Sequence, residues 1–189
     1  MTTSLPTAET AERPTTQARD EIIREAKRLE EATLYSAKAH HAAARGWSGW
    51  HMYLGLPLVI ISGIATLSQA GKDNFWVGIV AIVASVCVTI LSAITTFLNP
   101  NEKASAHLTA AHAYDKLNNE ARMFWSIEAW QQTEEALTSR LRELVDRKDK
   151  LNSDSPQIPQ RAYEKGKKQI LAGQARFEVD ERSDPPRPA

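Results

Sequence analysis

The chain has a single cysteine, Cys87, so it can form no intrachain disulfide, and that thiol reads as a small packing residue. It has no Gly-rich phosphate loop, no nucleophile elbow and no pair of acids isolated in an apolar setting. No enzyme is legible, and no catalytic residue, cofactor or metal is expected. Neither charge is in excess: 23 Lys and Arg balance 23 Asp and Glu across 189 residues, which argues against nucleic acid as a partner. No alternating pattern long enough for a β-strand occurs, so the expected class is all-α.

The sharpest absence is local. From Gly46 to Gly71, and again from Asn74 to Asn101, there is no Asp, Glu, Lys or Arg. A soluble domain spreads its charges along every element, and this chain does not. A helix rises about 1.5 Å per residue and the hydrocarbon core is about 30 Å thick, so roughly 20 residues cross it. Residues 75–98 are long enough to span with some tilt. Residues 52–70 are just sufficient, and weaker because of Pro57, Ser62, Thr66 and Gln69. The competing reading is a buried hairpin inside a soluble bundle, but core helices seldom run beyond about 14 residues without a charge. Neither span reads as a signal peptide, because a charged region precedes the first apolar run.

The remaining organisation follows from periodicity. Residues 1–16 are Thr-, Ala-, Pro- and Glu-rich and read as disordered. Residues 17–46 form an amphipathic helix whose Ile22, Ala26, Leu29, Thr33, Ser36 and His40 recur at helical spacing. Residues 47–100 hold the transmembrane hairpin, with Trp47, Trp50 and Trp76 as interface anchors and a tight connection at Gly71–Asn74. Asn99, Pro100 and Glu102 mark the membrane exit, with Asn99 in position to cap the next helix. Residues 101–175 carry further helices: about 101–127 with His107, Ala111, Tyr114, Leu117, Ala121 and Phe124 inward, then one with a Leu137, Leu141, Leu144 and Leu151 seam. A loop over "NSDSPQIPQ" leads to a short basic helix over 161–175, and 176–189 reads as a disordered tail. Lys27, Arg28, Lys38, Arg45, Lys103 and Lys116 flank the open end of the hairpin against only Lys72 in its loop, so both termini are expected in the cytoplasm, with the hairpin crossing the plasma membrane twice.

Within the second span, Ser85, Thr89, Ser92 and Thr96 fall within about 60° of one helical face, and Gly78 and Ala81 share the same arc. The first span echoes the pattern with Gly55, Val59, Ser62, Thr66 and Gln69. Two readings compete. Small and hydroxyl residues let membrane helices pack closely, or a hydroxyl face lines a polar path in an assembly of several hairpins. No charge lies at mid-membrane, so neither a proton relay nor a voltage sensor is indicated. The histidines do not match a helical zinc pair: His40 and His41 are sequential, and His107 and His112 are five apart. Packing or capping is the expected role for them.

The stretches "HHAAARGWSGWHMYLGLPLVIISGIATLS", "TFLNPNEKASAHLTAAHAYDKLNNEAR" and "LNSDSPQIPQRAYEKG" resemble the SLATT family, the SMODS- and SLOG-associated two-transmembrane effectors of bacteria. The resemblance runs from about Ala18 to Leu171, and the Phe-Leu-Asn-Pro-Asn-Glu-Lys exit is its most telling part. It implies an effector of an antiviral or conflict system, encoded beside nucleotide second-messenger synthases or sensors, which forms homo-oligomeric pores in the host membrane. No ligand-binding residue carries over. The alternative expectation is a non-conducting membrane scaffold that recruits a soluble enzyme through its cytosolic helices.

Overall fold

The amphipathic segment and the first span turn out to be one helix. In the computed structural model, which describes residues 9–68 and 75–174, helix α1 runs unbroken over Glu9–Ser68. Its 60 residues reach about 90 Å at the standard rise. Gly46, Gly49, Gly55 and Pro57 all lie within it. Pro57 forfeits one backbone hydrogen bond, but a break here would strand several backbone groups in an apolar environment at a larger cost. The helix also starts earlier than the sequence indicates, correcting the coil expected as far as residue 16. Once packing holds α1 from Ile22 onward, extending it toward Glu9 needs no new nucleation, and "ETAER" contains good helix formers, although Pro14 withholds one backbone hydrogen bond. Residues 1–8, the Gly71–Asn74 connection and the 176–189 tail lie outside the described residues.

Among the described residues four more helices follow: α2 Phe75–Leu98, α3 Pro100–Ser126, α4 Glu134–Asp154 and α5 Gln160–Leu171, with a 3-10 turn at Glu128–Trp130. No strand occurs among the described residues. A short connection joins α1 to α2 and the two pack along each other, so they run antiparallel. From Asn99 the chain continues as α3 beside the lower half of α1, again antiparallel: Glu30 meets Trp125, Thr33 meets Asn118 and His40 meets His107. Thus α1 alone serves both parts of the molecule, and α2 and α3 divide its length between them.

Below the hairpin the helices enclose a conventional apolar core. Leu29, Leu117, Phe124, Leu137 and Leu144 are buried around Ala26 and Ala121, with Ile22, Leu141 and Leu151 at the margin. Each large side chain so buried contributes on the order of 1.5–3 kcal/mol. Thr133 caps α4 by accepting from the Ala136 amide. That helix runs three residues past Leu151, into the expected loop, until Pro156 forces Ser155 into extended backbone. Helix α5 stops at Leu171, four residues short of the expected end, because Gly173 adopts φ 80°. The Gly173 amide then donates to the Ile170 carbonyl and the Gln174 amide to Gln169, a Schellman closure. Earlier in α5, Gly166 allows a close approach to α1: a Cβ there would lie 2.8 Å from the Ala39 amide nitrogen.

Candidate functional site

The hairpin carries its apolar side chains outward. Both helices contain stretches long and apolar enough to cross a membrane. In those stretches 0% of the α1 residues and 6% of the α2 residues are buried, unlike a helix packed into the core of a soluble bundle. Val59, Leu67, Ile82 and Phe97 are among the most exposed of these side chains.

The contact between the two spans is narrow. On α2 the buried or half-buried positions include Val77, Ala81, Ala84, Val88, Leu91 and Thr95, alternating four and three residues apart. On α1, Leu54, Leu58, Ile61 and Ala65 repeat the same spacing. This is a coiled-coil seam, and the alanines at 81 and 84 let the backbones approach. The hydroxyl stripe is centred about a quarter turn away from that seam. Ser85, Thr89 and Thr96 are exposed, while Gly78, Ala81 and Ser92 lie along the edge facing α1. On the first span, Ser62 is half-buried and Thr66 exposed.

Most of the hydroxyls satisfy themselves. Ser62, Thr66, Ser85, Thr89 and Thr95 each donate to the carbonyl four residues back, at 2.7 to 2.9 Å. Ser92 and Thr96 have no such bond among the described residues. They sit on the half of α2 nearest the bundle.

At the exit, Asn99 differs from its expected role. It occupies the position before α3, yet its side chain makes no capping bond. Instead its backbone turns left-handed, φ 40° and ψ 59°, which Asn tolerates better than most residues. Its amide nitrogen still bonds to Thr95, and its carbonyl accepts from Lys103, so the ladder carries through the junction. The side-chain amide donates to Glu102, and Pro100 is buried at the first turn of α3. Of the interface anchors, Trp50 and Trp76 are exposed, whereas Trp47 is half-buried with the Lys103 ammonium 4.6 Å from its ring centre.

Just below the exit lies a polar layer that the sequence spacing did not reveal. His40 of α1 and His107 of α3 are buried and face each other, with their Nδ1 atoms 3.0 Å apart. One imidazole must donate and the other accept, so the two rings hold opposite tautomers. Tyr114 stacks on His40, and its hydroxyl donates to Asn152 of α4 at 2.7 Å. Burial, together with the neighbouring imidazoles of His107 and His41, lowers the His40 pKa to about 4, and burial lowers that of His107 as well. Beside them His41 bonds Asp115 at 2.8 Å, and His112 meets the His41 ring edge-on. No group of three or more metal-ligating side chains forms among the described residues. The one available sequence signal was that His40 and His107 both stand on the inward faces of their helices. A spacing test along a single helix cannot detect a pair 67 residues apart.

Fold and site together define an all-α membrane protein, a two-helix apolar hairpin mounted on a helical bundle through a shared long helix. Within that class, the chain belongs to the SMODS and SLOG-associating 2TM effector domain family 4, whose pattern matches residues 12–181. No curated protein and no solved structure matches the chain.

Proposed function

We propose that the chain is a non-enzymatic membrane effector of a bacterial antiviral or conflict system, whose hairpins assemble side by side into a pore. The observation that carries this reading is the position of the hydroxyl stripe. The seam between α1 and α2 leaves Ser85, Thr89 and Thr96 on the outside of the hairpin. A lone hairpin would turn these hydroxyls toward lipid, which offers no partner to any of them left unbonded, at a cost. A second copy, or water inside a ring of copies, removes that cost. In this reading both termini are cytoplasmic and the helical bundle holds the assembly closed. A nucleotide-signalling or sensor partner opens it by binding the open arrangement more tightly; the family description's mention of SMODS and SLOG association supports a partner of this kind.

The test is dye release from liposomes carrying the full chain, with and without the activating partner, on the parent and on Ser92→Leu and Thr96→Leu. Leakage on activation that is lost in the variants while assembly persists supports a lining role. Loss of assembly assigns the stripe to helix packing. Intact liposomes with folded protein and a verified signal would sink the pore reading. If a soluble partner then co-purified in fixed ratio, a recruiting scaffold would take its place.

A further inference from the structure

A second feature lies on α1 where α5 leans against it. A cavity of about 340 Å³ opens between Ala42, Ala43, Gly46, Trp47 and Trp50 on one side and Pro159, Arg161 and Lys165 on the other. That volume is at the lower end of the range for small-ligand sites, roughly 300–1,000 Å³. Its floor is small for a clear reason: Ala42, Ala43 and Ala162 pack together with Ile158, and Gly46 adds no side chain. Its two walls differ in chemistry. One is indole. The other presents Arg161 and Lys165, one helical turn apart and exposed, which make neither an ion pair nor a hydrogen bond among the described residues. The adjacent carboxylate, Glu164, accepts from Gln160 instead. Over its whole length α5 carries Arg161, Lys165, Lys167 and Lys168 against that one acid.

The level of this cavity decides its occupant. It lies where α1 ceases to carry charge; Trp50 in its wall is 54% exposed, and Tyr53 and Leu56 just beyond it are 78% and 58% exposed. Indole rings favour the headgroup depth of a bilayer. The geometry points to a binding site for one anionic phospholipid, its phosphate between Arg161 and Lys165 and the start of its acyl chains against Trp47 and Trp50. A simple soluble phosphate would use the two cations and leave the indole wall idle, and a nucleotide, which could stack its base there, would have to displace the lipid already present at headgroup depth. A lipid uses both. Such a lipid would tie α5 to the membrane beside α1, and it does so whether or not hairpins assemble into a pore.

The full chain in detergent is titrated with phosphatidylglycerol, phosphatidylcholine or glycerol phosphate, and binding is read by native mass and by the shift in melting temperature. Phosphatidylglycerol is expected to bind and raise the melting temperature, with phosphatidylcholine and glycerol phosphate well behind. Each cation near a lipid surface is worth about 1 kcal/mol, so Arg161→Gln with Lys165→Gln should weaken binding roughly 30-fold. Gly46→Leu keeps every charge and fills the cavity, and a Cβ at position 46 meets nothing within 4 Å. It should abolish the tight site while leaving the lipid-free melt at or above that of the parent. Equal binding of phosphatidylcholine, parental affinity in the double variant, or undiminished binding in Gly46→Leu would each overturn the lipid site. Glycerol phosphate binding as tightly as the lipid would overturn it in favour of a soluble phosphate ligand.

Discussion

The two halves of α1 take part in opposite kinds of packing. In its lower half, Ala26, Leu29, Thr33 and His40 are buried against α3, and the joint mixes a large apolar core with polar bonds between helices. Asn118 donates to the Glu30 carbonyl at 2.6 Å, Trp125 donates to the Glu30 carboxylate at 2.6 Å, and Arg147 pairs with Glu120. In its upper half the seam is thin, and the hydroxyl bonds of both spans return to their own backbones. The difference teaches what each solvent rewards. Water drives apolar side chains together, so the bundle closes over Phe124 and Leu117. Lipid gives apolar surface no reason to leave it, so the hairpin holds by close backbone approach and keeps its bulky residues outside.

The comparison breaks most visibly if the core is emptied. Phe124→Ala is expected to cost about 3–5 kcal/mol, melting the bundle while α2 and the upper part of α1 stay helical in detergent. Circular dichroism together with proteolysis of the two regions checks it; a single concerted loss of both would show that the hairpin depends on the bundle. Acid sharpens the contrast next. His40 titrates at about 4 in the fold against an ordinary 6.5, so folding opposes its protonation. Its contribution is complete above about pH 6.5 and is lost as the pH falls from there through about 4, by at most about 3 kcal/mol. Denaturant midpoints measured from about pH 7 down to about pH 5 should therefore fall. Replacing both His40 and His107 by Asn should flatten most of that slope, and an unchanged slope would remove the imidazole pair from the account. The smallest effect belongs to the junction itself. Asn99→Ala places a less tolerant residue at φ 40° and removes the amide bond to Glu102, for a loss of about 1 kcal/mol, whereas Asn99→Gly should be close to neutral. A thermal melt in which Ala and Gly behave alike would show that the left-handed turn is not under strain.

Much of this architecture was written in one-dimensional patterns. The charge-free windows set the two spans, Leu137, Leu141 and Leu144 set the face of α4, and His107, Tyr114, Leu117 and Phe124 set that of α3. Boundaries were less legible. Gly46 to Pro57 looks like a seam between two elements and is instead the middle of one helix. The hydroxyl stripe was also visible in sequence. Its relation to α1 was not, because a helical wheel shows which residues share a face and says nothing about which face a neighbour takes.

What the sequence determined by itself is whatever a single span can express: the extent of its charge-free run, its apolar arc and the Asn-Pro stop at its end. Those properties need only local backbone geometry and the period of the chain. Tertiary structure decided what requires two helices at once. It set the quarter-turn offset between the α1–α2 seam and the hydroxyls, the facing imidazoles of His40 and His107, and the cavity between Trp47 and Lys165. Each joins residues far apart in sequence, and their meeting depends on the register in which α1 is packed by α2, α3 and α5, a quantity set by the whole packed interface rather than by any one segment.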